Sequence, residues 1–265
     1  MRERTRVTNE GGDVALITVQ FQRCALSFVV LVTCAVKPCA LADTPKPPFE
    51  DGQRSSALVE QFKSEKVFWK QIDIAKTIVE KDDATVLLLL ADWLRHEDRH
   101  IRGNVAFIFA SFDDPRGLQT IFDILADRSE RPKGQGIPTA SSDGRYRFER
   151  QVAADRYYAP HLLGDLRDPR GLPLLVPLLY DRETQWIVPW SLGQIGDKRA
   201  ISPLIAALDN DDPSIRVLVI YALEALDAKE AIPRLLTLVK DERKSRFGAA
   251  VTVSAAAQAA IAKLR

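Results

Sequence analysis

The sequence predicts an all-α fold, an α-α superhelix of about five two-helix units preceded by a helical N-terminal cap. Two observations support this prediction. A short segment recurs along the chain, and the apolar residues of each copy follow the spacing of an amphipathic helix rather than the alternation of a strand. Because one two-helix unit cannot bury its apolar stripe alone, we expect neighbouring units to stack into a continuous core.

The recurring segment has consistent spacing. Its copies occupy residues 107–118, 161–172, 190–201 and 221–232, at offsets of 54, 29 and 31 residues. The start of the second helix gives an independent check, because Ile101-Arg102 lies 114 residues before Ile215-Arg216, the total of those offsets. Two registers that agree in this way indicate a true repeat.

The bulk composition is that of an ordinary globular protein, with 46% hydrophobic and 28% charged residues. This excludes the disordered, collagen-like and disulfide-rich classes. The 37 basic and 36 acidic side chains nearly cancel. There is therefore no electrostatic reason to expect nucleic acid or an anionic membrane as the main partner.

Residues 1–42 predict a secretory signal peptide. A basic lead-in precedes an apolar run of thirteen residues, 24–36, which is too short to span a membrane, and a small-residue cleavage pattern ends at Ala42. We expect a periplasmic or secreted protein without a membrane span in the mature chain; the alternative is a buried N-terminal helix. A lipid anchor at Cys34 fits less well, because Thr33 stands where lipoprotein signals carry a smaller residue.

The mature chain is expected to begin with a Pro-rich linker at residues 43–53, followed by the solenoid at residues 54–265. Apolar residues within 54–81 predict a capping helix or helix pair. All three cysteines precede the predicted cleavage point, so the mature chain would carry no thiol.

Each unit is predicted to contain a first helix, A, and a second helix, B. In the fourth unit Pro203 lies in the first turn of helix A, where a missing N–H costs nothing, and Pro173 and Pro233 hold the same place in their units. Asp212 is the predicted N-cap of helix B, which would run over residues 215–226.

Two loops depart from the pattern. The A–B loop of the second unit covers residues 129–148, much longer than its counterparts, and its Gly-, Ser- and Pro-rich composition leaves open whether it is functional or disordered. The fifth unit has a long A–B loop, 241–252, and an Ala-rich last helix, 254–264, which predict a C-terminal cap.

These residues carry a resemblance. The segments Gly196–Ile205 (GDKRAISPLI) and Asp212–Arg216 (DPSIR) resemble the HEAT repeat of the phycobilisome-lyase type, and the resemblance extends over residues ~84–264. It implies a solenoid that serves as a binding scaffold in most relatives and as an enzyme in a few, so it constrains function only weakly.

The segment His96-Glu97-Asp98-Arg99-His100 spells the H-E-x-x-H motif of zinc proteases, which requires both His on one helical face. The repeat register places His96 and Glu97 in the A–B turn and only His100 inside helix B, so we expect no metal site. HEAT-type enzymes such as deoxyhypusine hydroxylase hold two irons with several His-Glu pairs, whereas this chain has a single pair.

The repeat also aligns four rings at one position of helix B. This position faces the concave surface in the repeat type that the chain resembles, and the aligned residues are Phe107, His161, Trp190 and Tyr221. Tyr157 and Trp186 lie about one turn earlier in their helices. Aromatic rings in a row predict a binding surface, although packing between adjacent B helices would use rings equally well.

Other recurring residues have structural interpretations. Pro160 and Pro189 precede two of the column rings and are expected to kink or delay helix B. Arg102 and Arg216, together with Asp residues at positions 114, 168 and 197, are expected to tie each inter-helix loop to the next unit.

We therefore expect an exported scaffold, monomeric and not an enzyme, that binds a protein or peptide on its concave surface without a cofactor. One alternative is a HEAT-repeat enzyme, either metal-dependent or handling a phycobilin as a lyase does. The predicted export signal and the lack of a mature cysteine disfavour the lyase. A second alternative is a structural module that self-assembles.

Overall fold

The computed structural model describes residues 48–129, 148–246 and 251–265. Within these residues the chain consists of helices that pack in sequence order, with one isolated β-bridge between Lys244 and Thr252. The predicted α-α superhelix is therefore confirmed. The predicted signal peptide and all but the ends of the predicted loop at 129–148 lie outside the described residues.

The helices alternate between two layers. The A layer contains α1 (Pro48–Ser64), α3 (Val86–Leu90), α5 (Pro115–Ala126), α7 (Leu172–Leu175), α9 (Ile201–Ala207) and α11 (Ile232–Leu236). The B layer contains α2 (Phe68–Glu80), α4 (Arg99–Ser111), α6 (Phe148–Leu166), α8 (Val188–Ile195), α10 (Pro213–Ala225) and α12 (Val253–Leu264). Short 3-10 helices extend several A helices, at Ala91–Arg95, Pro169–Gly171, Val176–Tyr180, Lys198–Ala200 and Lys229–Ala231. Each B helix packs against the next one in the layer.

The helix pair α1–α2 has the structure of a further repeat unit. Each B helix from α2 to α10 is followed by a residue with positive φ, namely Asp82 (53°), Asp113 (57°), Arg167 (54°), Gly196 (75°) and Asp227 (48°). The last four follow the repeat offsets, and Asp82 extends the series by one unit toward the N terminus. Helix α1 begins at Pro48, so residues 48–53 of the predicted linker are helical rather than extended.

Local signals start the B helices where the sequence predicts. Asp212 caps α10, and its carboxylate accepts a hydrogen bond from the Ser214 N–H at 2.9 Å. Pro189 stands in the first turn of α8, which has 8 residues against 13 in α10. The equivalent Pro160 does not delay its helix, because α6 already begins at Phe148; the prediction of a late start is wrong there.

One position of the A helices forms the centre of the core. Its residues are fully buried in every unit from α3 onward: Leu90, Ile121, Leu175, Leu204 and Leu235. Burying such a side chain completely contributes about 2 kcal/mol relative to exposure. The buried apolar residues of all described units belong to one cluster, as a stacked repeat requires.

Polar ties join successive units. Arg156 pairs with Asp181 at 3.0 Å, and Arg216 pairs with Asp241 at 3.0 Å. Each of these Arg residues lies on a B helix, and its Asp partner follows the A helix of the next unit. In the unit between them, the equivalent tie is the hydrogen bond from the Asn210 amide to the Gln185 side chain at 3.2 Å.

The carboxylates expected to form these ties act locally instead. Asp114, Asp168 and Asp197 are N-caps of A-layer helical segments, and each accepts a hydrogen bond from the backbone N–H two residues later. The side chains of Arg116, Arg170 and Arg199 bind the same carboxylates within the turn. The prediction that these Asp residues reach the next unit is therefore wrong.

The described helices contain no segment that is both apolar enough and long enough to cross a bilayer.

Candidate functional site

The aligned position of the B helices includes a residue that the sequence analysis missed. Phe107, His161, Trp190 and Tyr221 each lie six residues before the positive-φ residue that follows their helix. The same spacing before Asp82 selects Lys76 on α2. We call these five residues the column: Lys76, Phe107, His161, Trp190 and Tyr221.

The stack bends toward the side of the B helices that carries the column. Helices α2 and α6 are separated in the layer by α4, yet Lys76 Nζ lies 2.8 Å from Asp165 Oδ2 on α6. The rings of Phe68, at the start of α2, and of Tyr158, in the middle of α6, are 5.0 Å apart. Second neighbours can approach this closely only where the layer curves inward, so this side is the concave surface.

Burial decreases from Phe107 to Tyr221, whereas the first member of the column, Lys76, has 42% of its side chain exposed. Phe107 on α4 is 5% exposed, His161 has 15% of its side chain exposed, and Tyr221 is 41% exposed. Phe107 is therefore a core residue, because α2 and α6 close over its helix. The prediction of a binding surface stays a prediction, and only the other members of the column are positioned to contribute to one.

Six rings form a continuous row across the N-terminal half of the B layer. The row consists of Trp69 and Phe68 on α2, His100 on α4, Tyr158 and His161 on α6, and Trp190 on α8. Successive ring centroids are 4.3 to 6.1 Å apart, within the range of favourable aromatic contacts. His161 and Trp190, at 4.6 Å, are the partly buried pair at the end of this row.

A hydrogen-bond network fixes the positions of Tyr158 and Phe68, two residues of the row. The Tyr158 hydroxyl donates to Asn104 Oδ1 at 2.5 Å, and the Asn104 amide donates to the Gln71 side chain at 2.8 Å and to the Phe68 carbonyl at 2.9 Å. Burial raises the pKa of the Tyr158 hydroxyl, and Asp165 and Asp73 add to this rise. Tyr158 is thus a neutral donor held in a fixed orientation.

A charged group adjoins the His161–Trp190 pair. Asp165 lies one helical turn after His161, and its Oδ2 is 3.5 Å from His161 Nδ1 as well as 2.8 Å from Lys76 Nζ. Burial lowers the pKa of His161 below its ordinary value of 6.5, although the charge of Asp165 acts in the opposite direction. At neutral pH the site therefore combines a cation, an anion and an uncharged imidazole.

The two rings one turn earlier do not join this group. Tyr157 and Trp186 are both partly buried, and the guanidinium of Arg246 lies 5.1 Å from the centre of the Trp186 ring. This geometry is a cation–π contact between the turn that precedes α8 and the fifth unit.

The H-E-x-x-H segment does not assemble a metal site. His96 and Glu97 lie in the A–B turn, as predicted, and His96 Nδ1 accepts a hydrogen bond from the Asp98 N–H at 3.0 Å. His100 is inside α4, where its Nδ1 lies 3.2 Å from Asp155 Oδ1. Among the described residues, no three His, Cys, Asp or Glu side chains are grouped so that they could hold a metal ion.

A signal for Lys76 was present in the sequence. Asp82-Asp83 precedes α3 just as Asp113-Asp114 precedes α5, and counting back from Asp82 by the same spacing reaches Lys76. No equivalent signal exists for Asp165, because its importance depends on contact between two helices that are not neighbours in the repeat.

Comparison with known families identifies the repeat. The family model for HEAT repeats matches residues 152–224 and 180–256, which include the B helices from α6 to α10. The predicted resemblance to HEAT repeats is therefore confirmed.

Curated relatives share about half of the chain. Bilin biosynthesis protein PecE of Mastigocladus laminosus is 29% identical over 145 residues, which cover 54% of this chain and 48% of the relative. Bilin biosynthesis protein PecE of Nostoc sp. (strain PCC 7120 / SAG 25.82 / UTEX 2576) is 33% identical over 145 residues, 54% of this chain and 51% of the relative. The chain thus spans about half the length of the curated relatives it matches.

These relatives correct one prediction. They are named for the biosynthesis of bilins, and this finding overturns the expectation that the chain is not an enzyme. The finding agrees instead with the coarser statement that the chain is a repeat scaffold similar to bilin biosynthesis proteins. The chain is an all-α solenoid that is similar to HEAT-repeat proteins over residues 152–256 and to bilin biosynthesis proteins over 145 residues.

Proposed function

We propose that this chain binds a bilin, a linear tetrapyrrole, on its concave surface and acts on it in a role like that of a phycobilin lyase. The observation that carries the proposal is the position of the Lys76–Asp165 ion pair beside the adjacent rings of His161 and Trp190, whose centroids are 4.6 Å apart. The similarity to bilin biosynthesis proteins selects the class of ligand.

The chemistry of the site matches that class. A bilin is a planar conjugated chain that carries ring N–H donors, terminal carbonyl acceptors and two propionate groups. Ligand sites in proteins typically combine an apolar, aromatic wall with a few placed polar groups. Here Trp190 and His161 supply the wall, and Lys76 and Asp165 supply opposite charges at its edge.

A titration with biliverdin tests the proposal. The full chain is expected to change the absorption spectrum of the pigment in a saturable manner with one equivalent bound, and to lose tryptophan fluorescence in parallel. Haem, a cyclic tetrapyrrole with the same propionates, is the matched ligand control and should compete poorly. Absence of a saturable change up to the solubility limit of biliverdin would contradict the proposal.

A second candidate function uses the other end of the column. Tyr221 on α10 is 41% exposed, and concave surfaces of solenoids commonly bind extended protein segments. Exposed tyrosines are frequent anchors in such interfaces. We therefore also propose that a protein or peptide binds around Tyr221, either as the acceptor of the bilin or as the main partner.

Affinity capture separates this candidate from the first. The wild-type chain is expected to retain one stoichiometric partner that the Trp190→Ala/Tyr221→Ala double variant loses. Tyr180→Ala is the control, because Tyr180 is 60% exposed but follows an A helix. Equal capture by all three proteins would exclude the C-terminal end of the column as the binding surface.

A further inference from the structure

The column contains one residue of a different chemical kind. Four of its members are rings, whereas Lys76 places an ammonium group at the same position of α2. Its side chain is 42% exposed, so the group is open to solvent and to a ligand.

The ion pair that Lys76 forms leaves binding capacity unused. Its Nζ contacts Asp165 through Oδ2, the oxygen that also faces His161 Nδ1. No described residue donates a hydrogen bond to the other carboxylate oxygen, Oδ1. An ammonium has three donors, of which this contact with Asp165 uses one. The pair can therefore engage a further anion at Lys76 and further donors at Asp165.

Stability alone does not account for this pair. Lys76 is 42% exposed and Asp165 has 15% of its side chain exposed, so solvent reaches the pair from the Lys76 side, and ion pairs open to solvent contribute a median of about 0–1 kcal/mol to the free energy of unfolding. Lys76 joins α2 to α6, two helices that already approach through the rings of Phe68 and Tyr158. The pair is thus a minor structural link with a pre-arranged cation and anion beside an aromatic wall.

We infer, building on the proposed function, that Lys76 and Asp165 are the residues that bind the polar groups of a linear tetrapyrrole. The Lys76 ammonium pairs with a propionate, and the Asp165 carboxylate accepts hydrogen bonds from ring N–H groups. Charge-assisted hydrogen bonds of this kind are about twice as strong as neutral ones.

The electrostatic surroundings favour the protonated ring system of the ligand. The titratable and charged groups that face this position are Asp73 and Lys76 from α2, Tyr158, His161 and Asp165 from α6, and His100 from α4 behind Tyr158. The Asp73 and Asp165 carboxylates both disfavour a negative charge at Tyr158. The Asp165 carboxylate favours positive charge on the His161 imidazole, against the effect of Lys76, and would favour it likewise on a bilin ring that lies against this carboxylate.

Two variants and one modified ligand test the inference. Lys76→Gln is expected to weaken biliverdin binding about tenfold while the absorption maximum of the bound pigment stays unchanged. Asp165→Asn is expected to weaken binding by a similar factor and to move the maximum to shorter wavelength, because the carboxylate no longer stabilises the protonated ring system. Biliverdin dimethyl ester, which lacks the propionate charges, should bind the wild type about as weakly as free biliverdin binds Lys76→Gln.

Matched control variants and the comparison with the dimethyl ester distinguish a failure of this inference from a failure of the proposed function. Lys70→Gln and Asp92→Asn remove exposed charges of α2 and of the neighbouring 3-10 segment, and both should bind as the wild type does. Circular dichroism verifies that each variant is folded, and the ester comparison on the wild type needs no variant. Wild-type affinity and spectrum in both Lys76→Gln and Asp165→Asn, or equal affinity of the wild type for acid and ester, would overturn this inference alone. Absence of any biliverdin binding by the wild type would overturn the proposed function itself.

Discussion

The indole of Trp190 lies directly against the backbone of Gly164, the residue that brings α6 and α8 together. A Cβ placed on Gly164 would stand 2.7 Å from Cζ3 of Trp190 and 2.9 Å from the Cα of Ser191. Glycine is required here for close approach, because a methyl group would push the ring and the neighbouring backbone away. The column and the packing of the B layer are thus linked at this contact.

Gly164→Ala is expected to lower the free energy of unfolding by about 1–3 kcal/mol, the usual cost of overpacking. Urea unfolding followed by circular dichroism measures the change. Gly193→Ala is the matched control on α8, since its nearest neighbour, the Ala222 Cα, would be at an ordinary 3.4 Å. If both variants lose the same stability, a methyl group between packed B helices has this cost in general, and the Trp190 ring is not the reason that position 164 requires glycine.

At the residue that follows each B helix, we expect a substitution that raises the free energy of unfolding rather than lowering it. Arg167 adopts φ 54°, whereas its repeat equivalents are Gly196 and three Asp residues, types that adopt this conformation more readily than Arg. Arg167→Gly removes steric strain of the left-handed region, which costs about 1 kcal/mol for residues with a Cβ. We therefore expect Arg167→Gly to raise the free energy of unfolding by up to about this amount.

Gly196→Ala is the reverse experiment. No heavy atom lies within 4 Å of the position a Cβ would take, so the loss expected from this variant, again about 1 kcal/mol, reflects backbone conformation alone. If both variants leave the thermal unfolding midpoint unchanged, the backbone at these positions relaxes without strain.

Local sequence signals predicted most of the solenoid but not its curvature. The N-cap Asp212 and the short helix after Pro189 follow from residues close to each other in the chain. The burial of Phe107 does not, because it depends on how strongly α2 and α6 bend over α4. A repeat pattern specifies which residues are equivalent, whereas exposure depends on contacts between units that are not adjacent.

Some residues of the candidate site could likewise be predicted from the repeat register, whereas others are brought together only by the fold. His161 and Trp190 were found by aligning repeats, because a column is a property of the register. Lys76 was missed since α2 lies before the recognised units, although Asp82-Asp83 marked the end of its helix. Asp165 could not have been selected by alignment, because its partners Lys76 and His161 come together only in the folded stack.

A buried charge network between the first two recognised units predicts a large loss of stability. Arg99 is 5% exposed and donates to Asp127 at 2.7 Å, to Asp155 at 3.1 Å and to the Ser129 carbonyl at 2.7 Å. The Asp155 side chain is fully buried, so removing the Arg99 guanidinium takes away the permanent cation beside its charge and leaves His100 Nδ1 as a neighbour. We expect Arg99→Met to lower the free energy of unfolding by about 3–5 kcal/mol, as measured by urea unfolding.

Arg116→Met is the matched control, because Arg116 binds Asp114 at a surface turn and its side chain is 57% exposed. Exposed pairs contribute at most about 1 kcal/mol, so this variant should unfold at nearly the wild-type urea concentration. Similar midpoints for Arg99→Met and Arg116→Met would mean that Asp155 becomes neutral or hydrated without cost.

Acid should destabilise the fold in two separate ranges of pH. The hydrogen bond and charge of Arg243 and the charge of Arg216 hold the pKa of Asp241 below its ordinary value of 3.8. For such a carboxylate the unfolded chain takes up the proton first, so its stabilising contribution is present above this value and is lost as the pH falls through the folded-state pKa. The stability that Asp241 contributes is therefore lost only under strongly acidic conditions.

His161 accounts for part of the loss at milder pH. Burial lowers its pKa in the folded chain below 6.5, so the neutral imidazole is favoured by folding and the protonated one by unfolding. Stability from this residue is complete above 6.5 and declines as the pH falls through its folded-state pKa. His161→Gln is therefore expected to reduce the decrease in unfolding midpoint between pH 7 and pH 5, measured by urea titration at each pH. An unchanged pH dependence in His161→Gln would instead assign the mild-acid transition to another group.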